Sequence, residues 1–127
     1  MRIPKYLSLE NNLAVYRPVG ECSFDQAVDM VDGAIAYCKA NNIRGLLVDV
    51  TGLTGFPSPS TAQRFQFATK WSGTADGSIF LAVVAPPELI DPDQIGVTML
   101  SNRGLQSKVS TNDADALEWL RSVCKSS

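Results

Sequence analysis

The groups in this chain that could act on another molecule are a set of hydroxyls and one guanidinium, and they stand close together. Ser58, Ser60, Thr61 and Arg64 follow an apolar run and a glycine-punctuated loop, within and just after the stretch Leu46 to Thr61, LLVDVTGLTGFPSPST. A serine before a helix accepts a hydrogen bond from a free backbone N–H, and proline at the first helical position gives up no needed donor. Ser58 therefore reads as the cap and Pro59 as the first residue of a helix that runs from about residue 60 to residue 71. The free N–H groups and the positive dipole end at such a start could hold an anion, with Arg64 nearby in the first turns. Hydrolytic and metal chemistry lack their usual groups. There is no histidine, no C-x-x-C, no G-x-S-x-G and no glycine-rich phosphate loop, and Cys22, Cys38 and Cys124 stand at unrelated spacings. Asp49, at the strand end, reads as a hydrogen-bond acceptor for loop N–H groups. Asp25, Asp29 and Asp32 read as a solvated helix face. These observations point to a chain that is not an enzyme and has no cofactor or metal site.

Composition narrows the class further. The chain has 127 residues, of which 45% are apolar and 19% charged; this is enough to bury one core, and a single domain over 1–127 is expected. A net charge of −2 and scattered lysines and arginines give no basic stripe for nucleic acid. The first residues lack the apolar stretch of a signal peptide. The longest apolar run, Ile79 to Ala85, is too short to span a bilayer. A cytoplasmic protein with reduced thiols is expected, Cys38 and Cys124 serving as small apolar residues on helix faces.

The elements that must position the candidate residues follow from periodicity. Tyr6 to Leu9 and Leu13 to Tyr16 are β-rich runs around Glu10-Asn11-Asn12, which reads as a hairpin turn because asparagine tolerates the left-handed region; Val19 continues the second run's spacing beyond Pro18. Ser23 and Gln26 form a capping box. Behind them Phe24, Ala27, Val28, Val31, Ala34, Ile35 and Cys38 repeat at helical spacing up to Asn41. Leu46 to Val50 and Ile79 to Ala85 read as strands buried on both faces. In the helix after Ser58, Ala62, Phe65, Ala68 and Ser72 form the expected core face, with Phe67 and Trp71 on another side and a loop from Ser72 to Gly77. A shorter helix from about Pro92 to Asn102, an edge strand at Ser107 to Ser110 and a last helix capped by Thr111 or Asn112 complete the chain. The order β-β-α-β-α-β-α-β-α predicts an α/β fold with a mainly parallel sheet and an antiparallel first strand.

This order resembles the STAS fold of anti-sigma-factor antagonists, and more closely the small bacterial STAS/SEC14-domain (SpoIIAA-like) proteins. The resemblance is carried by Leu47-Val48-Asp49-Val50-Thr51-Gly52-Leu53, Pro87-Glu88-Leu89 and Ala116-Leu117-Glu118-Trp119-Leu120. In the antagonists, which are not enzymes, a serine at the start of the helix after this strand is phosphorylated by a partner kinase; the position matches Ser58. The antagonists usually carry Asp before that serine and Ser or Gly after it, whereas Pro57 and Pro59 stand here, which leaves plain capping as the alternative role.

Three functional readings stand side by side. The first is binding of a protein partner, or of a second copy in a homodimer, through the loop and helix start Gly52, Gly55, Phe56, Ser58, Ser60 and Thr61. The second, which the SEC14 side of the resemblance implies, is a lipid-like or other small apolar ligand held by Phe56, Phe67 and Trp71 with Pro87 and Leu89 opposite. The third is an anion at the Ser58 to Thr61 helix start with Arg64.

Overall fold

In the computed structural model, which describes residues 4–10, 12–90 and 93–126, the alternating apolar runs become strands whose odd and even side chains serve two cores. The chain runs β1 (Leu7–Glu10), β2 (Leu13–Tyr16), β3 (Gly20–Glu21), α1 (Phe24–Ala40), β4 (Gly45–Asp49), β5 (Leu53–Thr54), α2 (Thr61–Ala75), β6 (Phe80–Val84), a 3-10 turn (Pro87–Leu89), α3 (Ile95–Asn102), β7 (Ser107–Ser110) and α4 (Asp113–Ser126). The main sheet has the order β1-β2-β4-β6-β7. Only the β1–β2 pair is antiparallel; the other pairs are parallel. The expected architecture holds, with the β3–β5 ribbon as an unforeseen addition.

Because successive strand residues point to opposite faces, the pleat sorts the core. Ala14, Tyr16, Leu46, Val48 and Leu81 pack with α1, α2 and α3, against Val28, Val31, Ile35, Ala68, Trp71 and Leu100. Leu13, Val15, Leu47, Ala82 and Val84 pack on the other side with Ala116 and Leu120 of α4. Gly45 belongs to this second face: a Cβ there would lie 2.5 Å from Leu13 Cδ2 and 2.8 Å from Cys124 Sγ. Cys38 is fully buried and Cys124 half-buried. Burial pushes the Cys38 thiol up to about 12, so it stays protonated and behaves as a small apolar residue.

Several local expectations are corrected. Ser23 does cap α1 through the reciprocal pair with Gln26, and α1 ends at Asn41. The cap of α2, however, is Ser60, not Ser58. Ser60 Oγ accepts from the Gln63 N–H at 3.1 Å, and the Ser60 N–H donates to Gln63 Oε1 at 2.9 Å. This capping box satisfies two backbone donors at once; proline at the first helical position would satisfy none.

Nor does α2 stop at Trp71. It continues to Ala75 and closes on Asp76 in the left-handed region, so Ser72 to Ala75 are helix and not loop. Its buried face is Ala68, Trp71, Ser72 and Ala75, whereas Ala62 and Phe65 are exposed. Phe65 lies on the surface under the Arg103 guanidinium, 4.7 Å from its ring centroid.

Val19 is exposed and lies outside β2. The third helix begins at Ile95 after Gln94 in the left-handed region. Asn11, in the expected hairpin turn, and the Asp91-Pro92 step expected to open that helix lie outside the described residues. Asn112 caps α4, accepting from the Asp115 N–H at 2.9 Å. Among the described residues no helix is long and apolar enough to cross a membrane.

Candidate functional site

The loop after β4 is built by two devices on opposite sides of the sheet. Asp49 shares the α4 face, since its register partner is Val84. Its Oδ1 accepts from the Thr51 N–H at 2.9 Å and the Thr51 hydroxyl at 2.6 Å, and its Oδ2 from Arg17 Nη1 at 2.7 Å. Arg17 reaches on to Asp113 at 2.8 Å, at the start of α4. Asp49 thus ties the strand end to the loop and, through Arg17, to α4, as a structural anchor. Burial alone pushes the Asp49 carboxyl up, but the Thr51 hydroxyl and N–H and the Arg17 guanidinium outweigh it and hold its pKa below the usual carboxylate value.

A pKa lower in the folded than in the unfolded chain gives stability that is complete above the unfolded value. That stability is lost as pH falls through the folded one. Asp49→Asn is therefore expected to lower the urea midpoint near neutral pH and to flatten its fall below about pH 4. A midpoint that falls as steeply with acid as in the parent chain would count against this anchor.

On the other face a cleft opens between the helices and the carboxyl ends of β4 and β6. The α1 wall is Phe24, Ala27, Val28 and Val31, and the α2 wall is Arg64, Phe67 and Trp71 with Phe56 and Pro59 ahead of the helix. The sheet contributes Val50, Val83, Ala85, Ser107 and Val109, and the last wall runs from Leu89 and Ile90 through Gln94, Gly96 and Val97 to Leu100. The cavity measures about 130 Å³. Its aromatic side is a connected chain of rings. Phe24 meets Phe56 edge-on at 5.9 Å and Phe67 at 6.3 Å, and Phe67 stacks on Trp71 at 4.5 Å and 24°. Trp71 is fixed from beneath by its Nε1–H, which donates to the Val28 carbonyl at 3.1 Å. At Gly96 a Cβ would lie 3.0 Å from the Phe67 ring, so glycine there is what lets α3 approach the aromatic wall.

Among the described residues three polar side chains, Arg64, Gln94 and Ser107, interrupt this apolar lining. Among the described residues Arg64 is its one charged residue. Arg64 Nη1 donates to the Pro59 carbonyl at 2.6 Å and Nη2 reaches Ser58 Oγ at 3.4 Å, but among the described residues it has no carboxylate partner. Ser107 Oγ is buried and, among the described residues, has no hydrogen-bond partner.

Of the residues singled out from sequence, the fold brings Phe56, Arg64, Phe67, Trp71 and Leu89 together around the cavity. Pro87 is exposed and outside the lining. Gly52, Gly55, Ser58, Ser60 and Thr61 are exposed and also outside it. Gly52 packs on Val19, Gly55 abuts the Cys22 backbone, and Ser58 lies two residues before the true cap. The residues missed were the α1 wall, read only as core, and Gly96, Val97 and Ser107. No local signal in the sequence marks those three as neighbours of the aromatic rings.

No family model and no curated protein matches the chain. Among solved structures it is similar to the protein TM1081, determined by NMR, at 13% identity over 95% of this chain and 92% of that one, with a TM-score of 0.49. It is also similar to an uncharacterised protein of the DUF3478 family with a SpoIIAA-like fold from Shewanella loihica PV-4. Here the identity is 17%, the coverage 90% of both chains and the TM-score 0.47. At such identities the likeness concerns the fold alone, and no residue's role is carried across.

Proposed function

We propose that this chain is a non-enzymatic binding module whose ligand is a small, mainly apolar molecule held between α1, α2, α3 and the sheet. The observation that carries the reading is the cavity itself, an apolar space walled by four aromatic rings. Its size supports a small ligand. An apolar cavity of about 150 Å³ in another protein stays dry and takes benzene, so about 130 Å³ suits one ring or a short alkyl segment. Trp71 lines the cavity, and Trp119 lies on the α4 side against Phe80, so a Trp119→Phe background leaves Trp71 as the reporter. Titration with toluene or p-cresol is expected to change its emission saturably, and native mass spectrometry of the protein as purified is expected to show a small adduct. Emission flat to millimolar ligand, together with an empty mass, would overturn the reading.

A second reading, docking of a protein partner or a second copy on the loop from Gly52 to Thr61, is supported by the exposure of Gly55, Pro57, Ser58 and Thr61. Modification of Ser58 belongs to that reading, since its hydroxyl is exposed beside Arg64. A cytoplasmic location belongs to both and is supported by the unbridged thiols of Cys22 and Cys38.

A further inference from the structure

We infer that the occupant of this cavity is an uncharged hydrocarbon the size of a single ring, and that the site rejects molecules carrying a polar group into it. Arg64 serves this site with the methylene groups of its stem and not with its charge. The inference rests on the reading of the cavity as the binding site and adds what that site excludes.

Among the described residues, each polar side chain bordering the space directs its polar atoms elsewhere or stands at the surface. Arg64 Nη1 donates to the Pro59 carbonyl at 2.6 Å and Nη2 reaches Ser58 Oγ at 3.4 Å, which holds the guanidinium at the start of α2. Its stem runs beside the cavity wall: a Cβ placed on Gly96 would lie 3.8 Å from Arg64 Cδ. Long basic side chains divide in this way, laying the stem on apolar surface and keeping the charge outside it. The Trp71 N–H is committed to the Val28 carbonyl at 3.1 Å, so the indole offers the cavity only hydrocarbon surface. Ser107 Oγ is closed off inside the protein, and Gln94 is exposed.

Val83 is the independent observation. It stands within β6, which pairs with β4 on one side and β7 on the other, yet it is only half-buried, because the cavity lies over it. The backbone of a strand paired on both sides is committed to its ladders, so the floor presents the methyl groups of Val83 and no free N–H or C=O of β6. A polar group carried down to this floor gives up its water partners without replacement. A hydrocarbon ring gives up none, and Phe67, Trp71 and Leu100 around it supply apolar contact on its faces and edges.

The test compares toluene, phenol and benzoate by calorimetry on the unmodified protein near neutral pH, probes that carry a methyl, a hydroxyl and a carboxylate on the same ring. Toluene is expected to bind ~10- to 100-fold tighter than phenol, the range for burying a hydroxyl without a partner, and benzoate more weakly than phenol. Arg64→Met, which keeps an unbranched stem and removes the charge, and Arg64→Lys, which keeps both, are each expected to leave the toluene affinity within ~2-fold of the parent and the order of the probes unchanged. A toluene-to-phenol ratio of ~4 or less, which burial of a methyl group alone accounts for, overturns the exclusion of polar groups and leaves the apolar reading in place. Benzoate binding tighter than phenol, and more weakly once Arg64 is methionine, brings the charge into the site and overturns the assignment of Arg64. Toluene binding lost with methionine and kept with lysine overturns that assignment as well. No binding by any of the probes overturns this inference and the reading beneath it together.

Discussion

Trp71→Ala is expected to destabilise the protein by about 3–5 kcal/mol, the range for removing a buried aromatic side chain. Trp71 is only 8% exposed, stacks on Phe67 and joins two helices through its hydrogen bond to the Val28 carbonyl. Alanine removes the ring that closes one wall and merges its volume with the existing cavity, so the neighbours have little reason to collapse inward. Trp71→Phe separates the contributions. It keeps most of the ring and loses the N–H, and is expected to cost about 1 kcal/mol, the usual net worth of one hydrogen bond, plus a part for the lost benzo ring. Urea unfolding followed by far-ultraviolet circular dichroism reads both without relying on tryptophan emission. Domains of this size have about 5–15 kcal/mol of total stability, so the alanine chain should still fold while unfolding at markedly lower urea. Equal losses for alanine and phenylalanine would mean that the stacked ring does not carry the α1–α2 contact.

That Trp71 is the buried anchor of α2 was obscured in the sequence by where the helix seemed to end. Ser72-Gly73-Thr74 has the composition of a loop, and glycine inside a helix costs about 1 kcal/mol relative to alanine. With the helix stopped at Trp71, the pattern Ala62, Phe65, Ala68 looks like the apolar stripe. With Ala75 included, Ala68, Trp71, Ser72 and Ala75 complete the i, i+3, i+4, i+7 spacing, and Phe65 falls outside it. Burial of Trp71 and Ala75 outweighs the glycine, and the chain stops where Asp76 and Gly77 both take positive φ. The α2 cap was legible, as Ser60 and Gln63 stand at capping-box spacing, but Ser58-Pro59 offered a competing start. The strand faces, the first helix and the edge position of β7 were fixed by simple periodicity and came through intact. The cavity was legible only in its aromatic half. A void is bounded by residues far apart in the chain, and neither Gly96 nor Ser107 carries a local mark of what it faces.

Gly55→Ala is expected to cost about 2–4 kcal/mol, because two independent penalties act at one residue. Gly55 has φ +104°, and a Cβ there would lie 2.6 Å from the Cys22 carbonyl oxygen and 3.1 Å from the Cys22 nitrogen. Those are backbone atoms of the segment that pairs with this loop: the Gly20 N–H donates to the Gly52 carbonyl at 3.1 Å and the Cys22 N–H to the Thr54 carbonyl at 2.9 Å. The clash cannot be relieved by rotating a side chain, so the β3–β5 ribbon must part or shift. Gly77→Ala is the matching control. Its φ is +74° and nothing lies within 4 Å of the added Cβ, so it feels backbone strain alone and is expected to cost about 1–2 kcal/mol. The Gly55 variant should lose at least twice as much in urea, and the Gly20 and Cys22 amides should lose their protection from hydrogen exchange while the amides of β4 and β6 keep theirs. Equal costs at Gly55 and Gly77 would show that the ribbon yields freely. The comparison also decides how docking on this loop can be tested. A bulky residue at Gly55 disturbs the ribbon before it blocks any partner, whereas Pro57→Arg and Ser58→Glu change exposed positions whose backbone takes no positive φ. A partner lost with Gly55→Arg alone would report on the ribbon, and only loss with the Pro57 or Ser58 variants would report on the surface.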